Sequence, residues 1–520
     1  MSRRGIALLV LCLCCAALCS LYRNATIDDA YIGYRFAWSL VHGNGLVFNA
    51  GQYVEGFTHL LWVLCAAVTM ALGVVDPHAV MQIIGIACSC GTAVFLYLLG
   101  ERILGRYGAA WAWVPPLLAM TRANFGYYTC SGMETPMYLL LLTMGLYYLW
   151  RDGLTIRLGV VMALAELCRP ETPYVFALFV ALAWLRGRTG GPALSVAGTL
   201  RAGLTFGALV GGHELFRLLY YGEFLPNTYY AKSMPLAAAW PAGWAYSVDY
   251  MNHVFWIPAV ALLLILLRRE PRLLALVALW LLSLFPIFQF GGDWMFLYRF
   301  FAHALPFEAL VVAGGLWCAA DLMKKLVRPA VARTAAVALL LLLNLAGSWP
   351  RLHTVNDSYP EFYRRCREIA ALIHDQPSVQ RVATVDIGVL GFVSEKRIVD
   401  LGGLTDRTIA RSPGGLLQKR YDPTYVLDRR PELVVLRSNG PGLVKTERGV
   451  VLAPAQLPVS DRRLFEHPDF ARHYVYVFSA AVGVEHPAGA APVTHYAYHV
   501  YRRRDVELRP FSPRAAESGR

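Results

Sequence analysis

The chain has 520 residues, 57% of them hydrophobic and only 16% charged, with a formal net charge of +13. Soluble domains carry about 25% charged residues, so this composition excludes an ordinary water-soluble protein and a disordered one alike. The charge is also unevenly spread. Of residues 1–349, 39 are Lys, Arg, Asp or Glu, against 44 of residues 350–520. That step predicts a membrane body over 1–349, a water-soluble domain over 350–503 and a charged, Pro-containing tail over 504–520 that reads as disordered. Much of the positive charge lies in short loops between apolar runs, where it sets topology. No nucleic-acid motif is present, so nucleic acid is not an expected partner. Most of the 11 cysteines lie in apolar runs, where Cys behaves as a small hydrophobe, and no spacing suggests zinc or a disulfide framework.

Arg3 and Arg4 precede an apolar run from Gly5 to Leu21, just long enough to span, which reads as an uncleaved anchor. Further apolar stretches recur near 57–75, 79–99, 107–120, 135–150, 154–168, 172–186, 199–220, 254–267, 272–290, 301–320 and 330–349, making twelve candidates. Arg186/Arg188/Arg201, Arg268/Arg269/Arg272 and Lys324/Lys325/Arg328 mark cytoplasmic loops. Alternation then places 23–56, 121–134, 221–253, 291–300 and the C-terminal domain outside. An inner N-terminus and an outer C-terminal domain need an odd number of crossings. About eleven transmembrane helices are therefore expected, with 57–75 or 107–120 re-entrant or interfacial.

The external loops hold most of the acidic, aromatic and Gly/Pro residues of the membrane part, so chemistry is expected there. Asp28 and Asp29 follow the first span directly. Adjacent carboxylates at a membrane surface are costly unless solvated or used, and such a group can serve as a general base toward a hydroxyl. The alternative for Asp29 is a helix cap over Ala30–Val41, an aromatic segment that would lie in the interface.

The segment DDAYIGYRFAWSLVHGNGLVFNAGQYVEGFTHLLW resembles the first external loop of the bacterial terminal arabinofuranosyltransferases, integral-membrane glycosyltransferases of the GT-C class. SGMETPMY (131–138), CRPE (168–171), YGEFLPNTYYAKS (221–233), GGDWMFLYRFFAHALP (291–306) and VDIGVLGF…RIVDLGGLTD (385–406) are similar to further segments of that family, in the same order. Relatives that modify pilin or lipopolysaccharide share the pattern. The resemblance implies a polytopic α-helical GT-C-like fold in the bacterial cytoplasmic membrane. It implies a polyprenyl-phosphate sugar donor, most simply D-arabinofuranose, a glycan or protein acceptor, and an acidic base in the first loop, here Asp28 or Asp29. No separate cofactor is expected, and no DxD-like metal site is evident.

Cations on the outer side are the candidates for holding the donor phosphate: Lys232 and Arg299 first, then Arg169 and Arg35. Each could instead contact lipid headgroups or snorkel. Glu55, Glu134, Asp293, His303 and Tyr229 are the candidates for sugar or acceptor contacts. Glu171 could simply pair with Arg169. His213 and Glu214 lie within an apolar run, where pairing with Arg217 is an equally good reading. In the C-terminal domain, EFYRRCREIAALIHD reads as an amphipathic helix and VATVDIGVLGF, RIVDLGGL, ELVVLRS, YVYVFS and HYAYHVYRR as strands. A small α/β domain follows, and because the family resemblance extends over 385–406 it implies Asp386 and Asp400 as acceptor contacts. The rival functions are a flippase for a lipid-linked sugar, which would distribute ionisable groups through its spans, and a non-catalytic membrane anchor.

Overall fold

A computed structural model describes residues 2–74, 76–188, 195–324, 328–439, 443–446, 449–452, 456–485 and 493–510. Among these, five helices are long and apolar enough to cross a membrane: Arg3–Ser20, Pro77–Ile103, Pro271–Phe290, Arg299–Met323 and Arg333–His374. A sixth appears if the pair Leu236–His253 and Ile257–Arg268, bent by 92°, is one broken span. The bend falls where Phe255 and Trp256 take positive φ, just before Pro258. Leu236, Trp240 and Trp244, spaced four apart, form an exposed apolar stripe on the first arm, as an interfacial helix requires.

The two stretches singled out as poor spans are short. Residues 57–75 give a helix over Leu60–Ala71 only, and 107–120 break into 3-10 turns before Pro115 and Pro116. At 1.5 Å per residue a 12-residue helix reaches about 18 Å, against the roughly 30 Å of a hydrocarbon core.

The composition step at residue 349 is not a break in the backbone. One helix runs from Pro329 to His374 and carries the chain from the membrane part into the C-terminal domain, with Pro350 and Pro360 inside it. The amphipathic segment read from EFYRRCREIAALIHD is its last stretch.

The C-terminal domain is a mixed sheet of β1 (Arg381–Thr384), β2 (Arg397–Asp400), β3 (Leu433–Asn439), β6 (Tyr474–Glu485) and β7 (Val493–Arg503), ordered β2-β1-β3-β7-β6. β1 is parallel to β2 and β3, whereas β3, β7 and β6 are antiparallel neighbours. The hairpin β4 (Leu443–Thr446) and β5 (Gly449–Leu452) stands apart. Residues 504–510 form neither helix nor strand but are not loose: Val506 is buried, Ser378 donates to the Glu507 carbonyl, and the Arg509 N–H donates to Gln376. The rest of the tail expected to be disordered lies outside the described residues.

The helix Asp28–Val41 joins the two halves. It was expected at the membrane interface, yet nine of its residues, including Tyr31, Tyr34, Arg35 and Phe36, are buried. Its apolar side chains share one core with Trp62, Tyr127 and Tyr128 of the membrane part and with Val382, Leu390 and Val500 of the C-terminal domain. A helix that is hydrophobic around most of its circumference needs partners on every side. The C-terminal domain supplies one of them.

Candidate active site

Neither Asp28 nor Asp29 caps a helix, as had been one expectation. Ile27 is the N-cap, without a side-chain bond, and both aspartates lie in the first turn, where the helix dipole favours negative charge. Their side chains then part company. Asp28 accepts the backbone N–H groups of Gly388 (2.9 Å) and Val389 (2.8 Å) with its two oxygens. It thereby clamps the first loop to the turn after β1, at the carboxyl end of a parallel strand, where open α/β sheets place ligands.

The clamp depends on a glycine. A Cβ on Gly388 would lie 2.0 Å from the Asp28 carbonyl oxygen. Gly388→Ala should therefore part the C-terminal domain from the first loop, at a cost of about 3 kcal/mol or more. Faster hydrogen exchange across 384–394 would show it; unchanged exchange would contradict it.

Burial, with the nearby Asp386 charge, pushes Asp28 up to about 7 against the pull of its two N–H donors. A folded value above the unfolded one means that the folded state holds the proton more tightly. The stability Asp28 contributes is thus complete below about pH 4 and is lost as pH rises through about 7. Melting temperatures at pH 5 and 8 should differ more in the wild type than in Asp28→Asn. An equal difference would contradict this.

Asp29 faces the other way. Its Oδ2 is 3.6 Å from Lys232 Nζ. Beyond it lies a buried charge network built from four separate sequence motifs. Arg169 Nη1 is 3.1 Å from Glu134 Oε1, and its Nε is 3.0 Å from Glu171 Oε1, the pair expected from CRPE. His59 Nδ1 is 3.8 Å from Glu134 Oε2, His303 Nδ1 is 3.5 Å from Glu171 Oε1, and Arg299 Nε is 2.6 Å from Asp293 Oδ2. Asp29 is electrostatically coupled to both His59 and Arg299. Burial opposes ionisation of Glu134, but His59, Arg169 and Arg299 outweigh it and hold the carboxyl down at about 2. His59, which sequence reasoning missed, is pushed below the usual imidazole value by burial, against the pull of Glu134. Its only signal was a histidine three residues before Trp62 in the same loop.

On its other side Asp29 lines a cleft with about 950 Å³ of empty volume, between the first loop, the 294–296 segment, the helix Pro329–His374 and the C-terminal sheet. Asp28, Trp294, Tyr363, Asp386 and Tyr496 also line it. Asp29 thus stands between a cationic network and an aromatic cleft. A base so placed can take a proton from a group in the cleft while a phosphate is held against the cations.

Other candidates lie elsewhere. Arg35 is a correction: it is buried and donates to the carbonyls of Phe48 (3.2 Å), Gly391 (3.0 Å), Glu395 (3.3 Å) and Lys396 (3.2 Å). Four of its five N–H donors join the first loop to the C-terminal domain, and it does not line the cleft beside Asp29, so it is placed as a structural clamp and not at the donor phosphate. Glu55 is likewise buried against Arg217, with Oε2 2.6 Å from its Nε, away from the cleft. Arg217 also pairs with Glu214, whereas His213 pairs with Glu166 at 3.1 Å, a partner not anticipated. Tyr229 is partly exposed beside Tyr230 and Phe290, outside the cleft. Asp400 accepts the N–H groups of Gly402, Gly403 and Thr405. It shapes a turn whose Gly403 and Leu404 carbonyls accept from Asn227, so it is structural and does not meet an acceptor. Among the described residues, Glu166, His213 and Glu214 are the group whose ligand atoms lie close enough for a metal ion. They are outside the cleft.

The fold is that of the GT-C membrane glycosyltransferases. Aligned on ArnT from Cupriavidus metallidurans bound to undecaprenyl phosphate, the chain gives a TM-score of 0.56 at 11% identity, covering 96% of this chain and 98% of that one. The archaeal oligosaccharyltransferase AglB from Archaeoglobus fulgidus, in complex with an inhibitory peptide and a dolichol-phosphate, aligns with a TM-score of 0.53 at 12% identity over 93% and 80% of the two chains. In sequence, the chain is similar to the terminal β-(1→2)-arabinofuranosyltransferase of Corynebacterium glutamicum, at 27% identity over 280 residues, 46% of this chain and 37% of that protein. It is similar to the protein of the same name from Mycobacterium tuberculosis at 26% over 282 residues, 48% and 43% of the two chains. The chain thus spans less than half the length of these curated relatives. Residues 356–501 match a domain of unknown function, DUF8728.

Proposed function

We propose that the protein transfers a sugar, D-arabinofuranose on the strength of its relatives, from a polyprenyl-phosphate donor to an acceptor hydroxyl at the outer face of the bacterial cytoplasmic membrane. The observation that carries this reading is the position of Asp29, between the cationic network and the cleft. The acceptor oxygen attacks the anomeric carbon and Asp29 takes its proton. The bond from that carbon to the phosphate oxygen breaks, and polyprenyl phosphate leaves with the electron pair. One such displacement inverts the anomeric centre.

Lys232, paired with Asp29 but 31% exposed, is the candidate cation most open to meet the phosphate directly. Arg169 and Arg299, each held by a carboxylate, supply a fixed positive field behind it. Glu134 and Asp293 hold those two guanidinium groups in place, and His303 backs Glu171. The solved ArnT structure contains undecaprenyl phosphate, in keeping with a lipid-phosphate donor here. The positive loops between the apolar runs support an outer position for the C-terminal domain and Asp29.

Purified protein in vesicles, given a synthetic polyprenyl-phosphate sugar and a glycan, tests the proposal. Formation of a glycosidic bond is expected. Movement of the lipid-linked sugar across the bilayer without transfer would favour a flippase instead.

A further inference from the structure

The polar lining of the cleft is lopsided. Asp28, Asp29 and Asp386 line it, and among the described residues Arg437 is its one cationic side chain. Asp28 already holds the first loop to the C-terminal domain, and Asp29 has Lys232 behind it. That leaves Asp386 and Arg437 to meet whatever enters from the C-terminal side.

These two side chains are held together and held still. Arg437 Nη1 is 3.3 Å from Asp386 Oδ1, and its Nε donates to Asn439 Oδ1 at 3.3 Å. The guanidinium carbon lies 4.7 Å from the centre of the Tyr496 ring, and the Tyr496 hydroxyl donates to the second oxygen of Asp386. The Arg437 backbone N–H donates to Asp461 Oδ2 at 2.8 Å. Only 13% of Asp386 and 8% of Arg437 is exposed. Asp386 lies two residues beyond the end of β1 and Arg437 within the neighbouring β3, so the pairing of these strands sets their spacing.

A pair of this kind treats acceptors unequally. A neutral sugar ring can donate a hydroxyl to Asp386, accept from Arg437 and rest an apolar face on Tyr496 or Tyr363. A phosphate or carboxylate on the same ring meets carboxylates on several sides, and the one cation it could use is already engaged. Like charges a few ångströms apart in a poorly solvated cleft cost far more than in water, and repulsion of the wrong partner is an efficient source of specificity.

We propose that the Asp386–Arg437 pair is the specificity-determining element of the acceptor cleft, admitting an uncharged polyhydroxyl acceptor and rejecting one that carries an anionic group beside the reacting hydroxyl. This rests on the glycosyl-transfer reading above. The test uses the full-length protein in vesicles with a polyprenyl-phosphate sugar and two acceptors: a neutral oligosaccharide, and the same oligosaccharide with a phosphomonoester on the sugar next to the reacting one. Wild-type protein should favour the neutral acceptor at least about tenfold in kcat/KM, equivalent to about 1.4 kcal/mol. Asp386→Asn removes one repelling charge and loosens the hold on Arg437. It should narrow that ratio by raising use of the phosphorylated acceptor in absolute terms, which a merely structural role would not do. Equal use of both acceptors by the wild type overturns the inference and leaves the transfer reading standing. So does a proportional loss on both in Asp386→Asn. Transfer to neither acceptor by the wild type overturns the transfer reading and this inference with it.

Discussion

Asp29→Asn should lower kcat by about 10²- to 10⁴-fold, the usual contribution of a positioned general base. The amide keeps the size of the side chain but cannot take the acceptor proton. Because Lys232 and the buried network remain, donor affinity should change little, so the loss falls on kcat and not on binding. Asp28→Asn should behave differently. Asp28 accepts two backbone N–H groups, and an amide can accept only one of them without turning a donor toward the other. The loss there is in docking of the C-terminal domain, about 1–3 kcal/mol for one unsatisfied buried group. The two variants are told apart by single-turnover rates alongside thermal melts. Equal kinetic and stability profiles would show that the two adjacent aspartates do not divide their roles as the geometry indicates.

Arg169→Ala should be the most destabilising single change at the site. Arg169 bridges Glu134, which is fully buried, and Glu171. Its removal leaves two buried carboxylates without their shared partner, with His59, His303 and the field of Arg299 as the remaining compensation. Breaking a buried pair from one side costs about 3–5 kcal/mol, because the charge left behind has no partner. The measurement is the thermal midpoint in detergent. Arg169→Lys, which keeps the charge but loses the two-sided fork, should recover part of the loss. A midpoint within a degree of wild type for the alanine variant would mean that Glu134 does not depend on Arg169.

The membrane body, the C-terminal α/β domain and most of the site were readable in the sequence because each left a local mark. The step in charge at residue 349 marked the two solvents. Asp28-Asp29, SGMET, CRPE, LPNTYYAK and GGDW marked loops that the fold gathers around one point. Pairing was less readable. Nothing in the sequence near Glu55 announces Arg217, 162 residues away. The partner nearest in sequence is the natural guess for His213, and helix packing chose Glu166 instead. Arg35 looked like an anion binder because a lone arginine in an aromatic loop has no visible partner. Its four carbonyls come from the first loop and from residues more than 350 positions on. The same long reach explains Asp28. Only the docked C-terminal domain, through Gly388 and Val389, separates its role from that of Asp29.

A single displacement at the anomeric carbon, with Asp29 as base, sets the configuration of the new glycosidic bond. Vesicle-reconstituted protein would be given a donor of known anomeric configuration, and the anomeric signals of the product read by NMR. One inverted linkage per polyprenyl phosphate released is the expected result. A product that retains the donor configuration would contradict it, because retention requires a second displacement and a nucleophile that Asp29, acting as a base, does not provide.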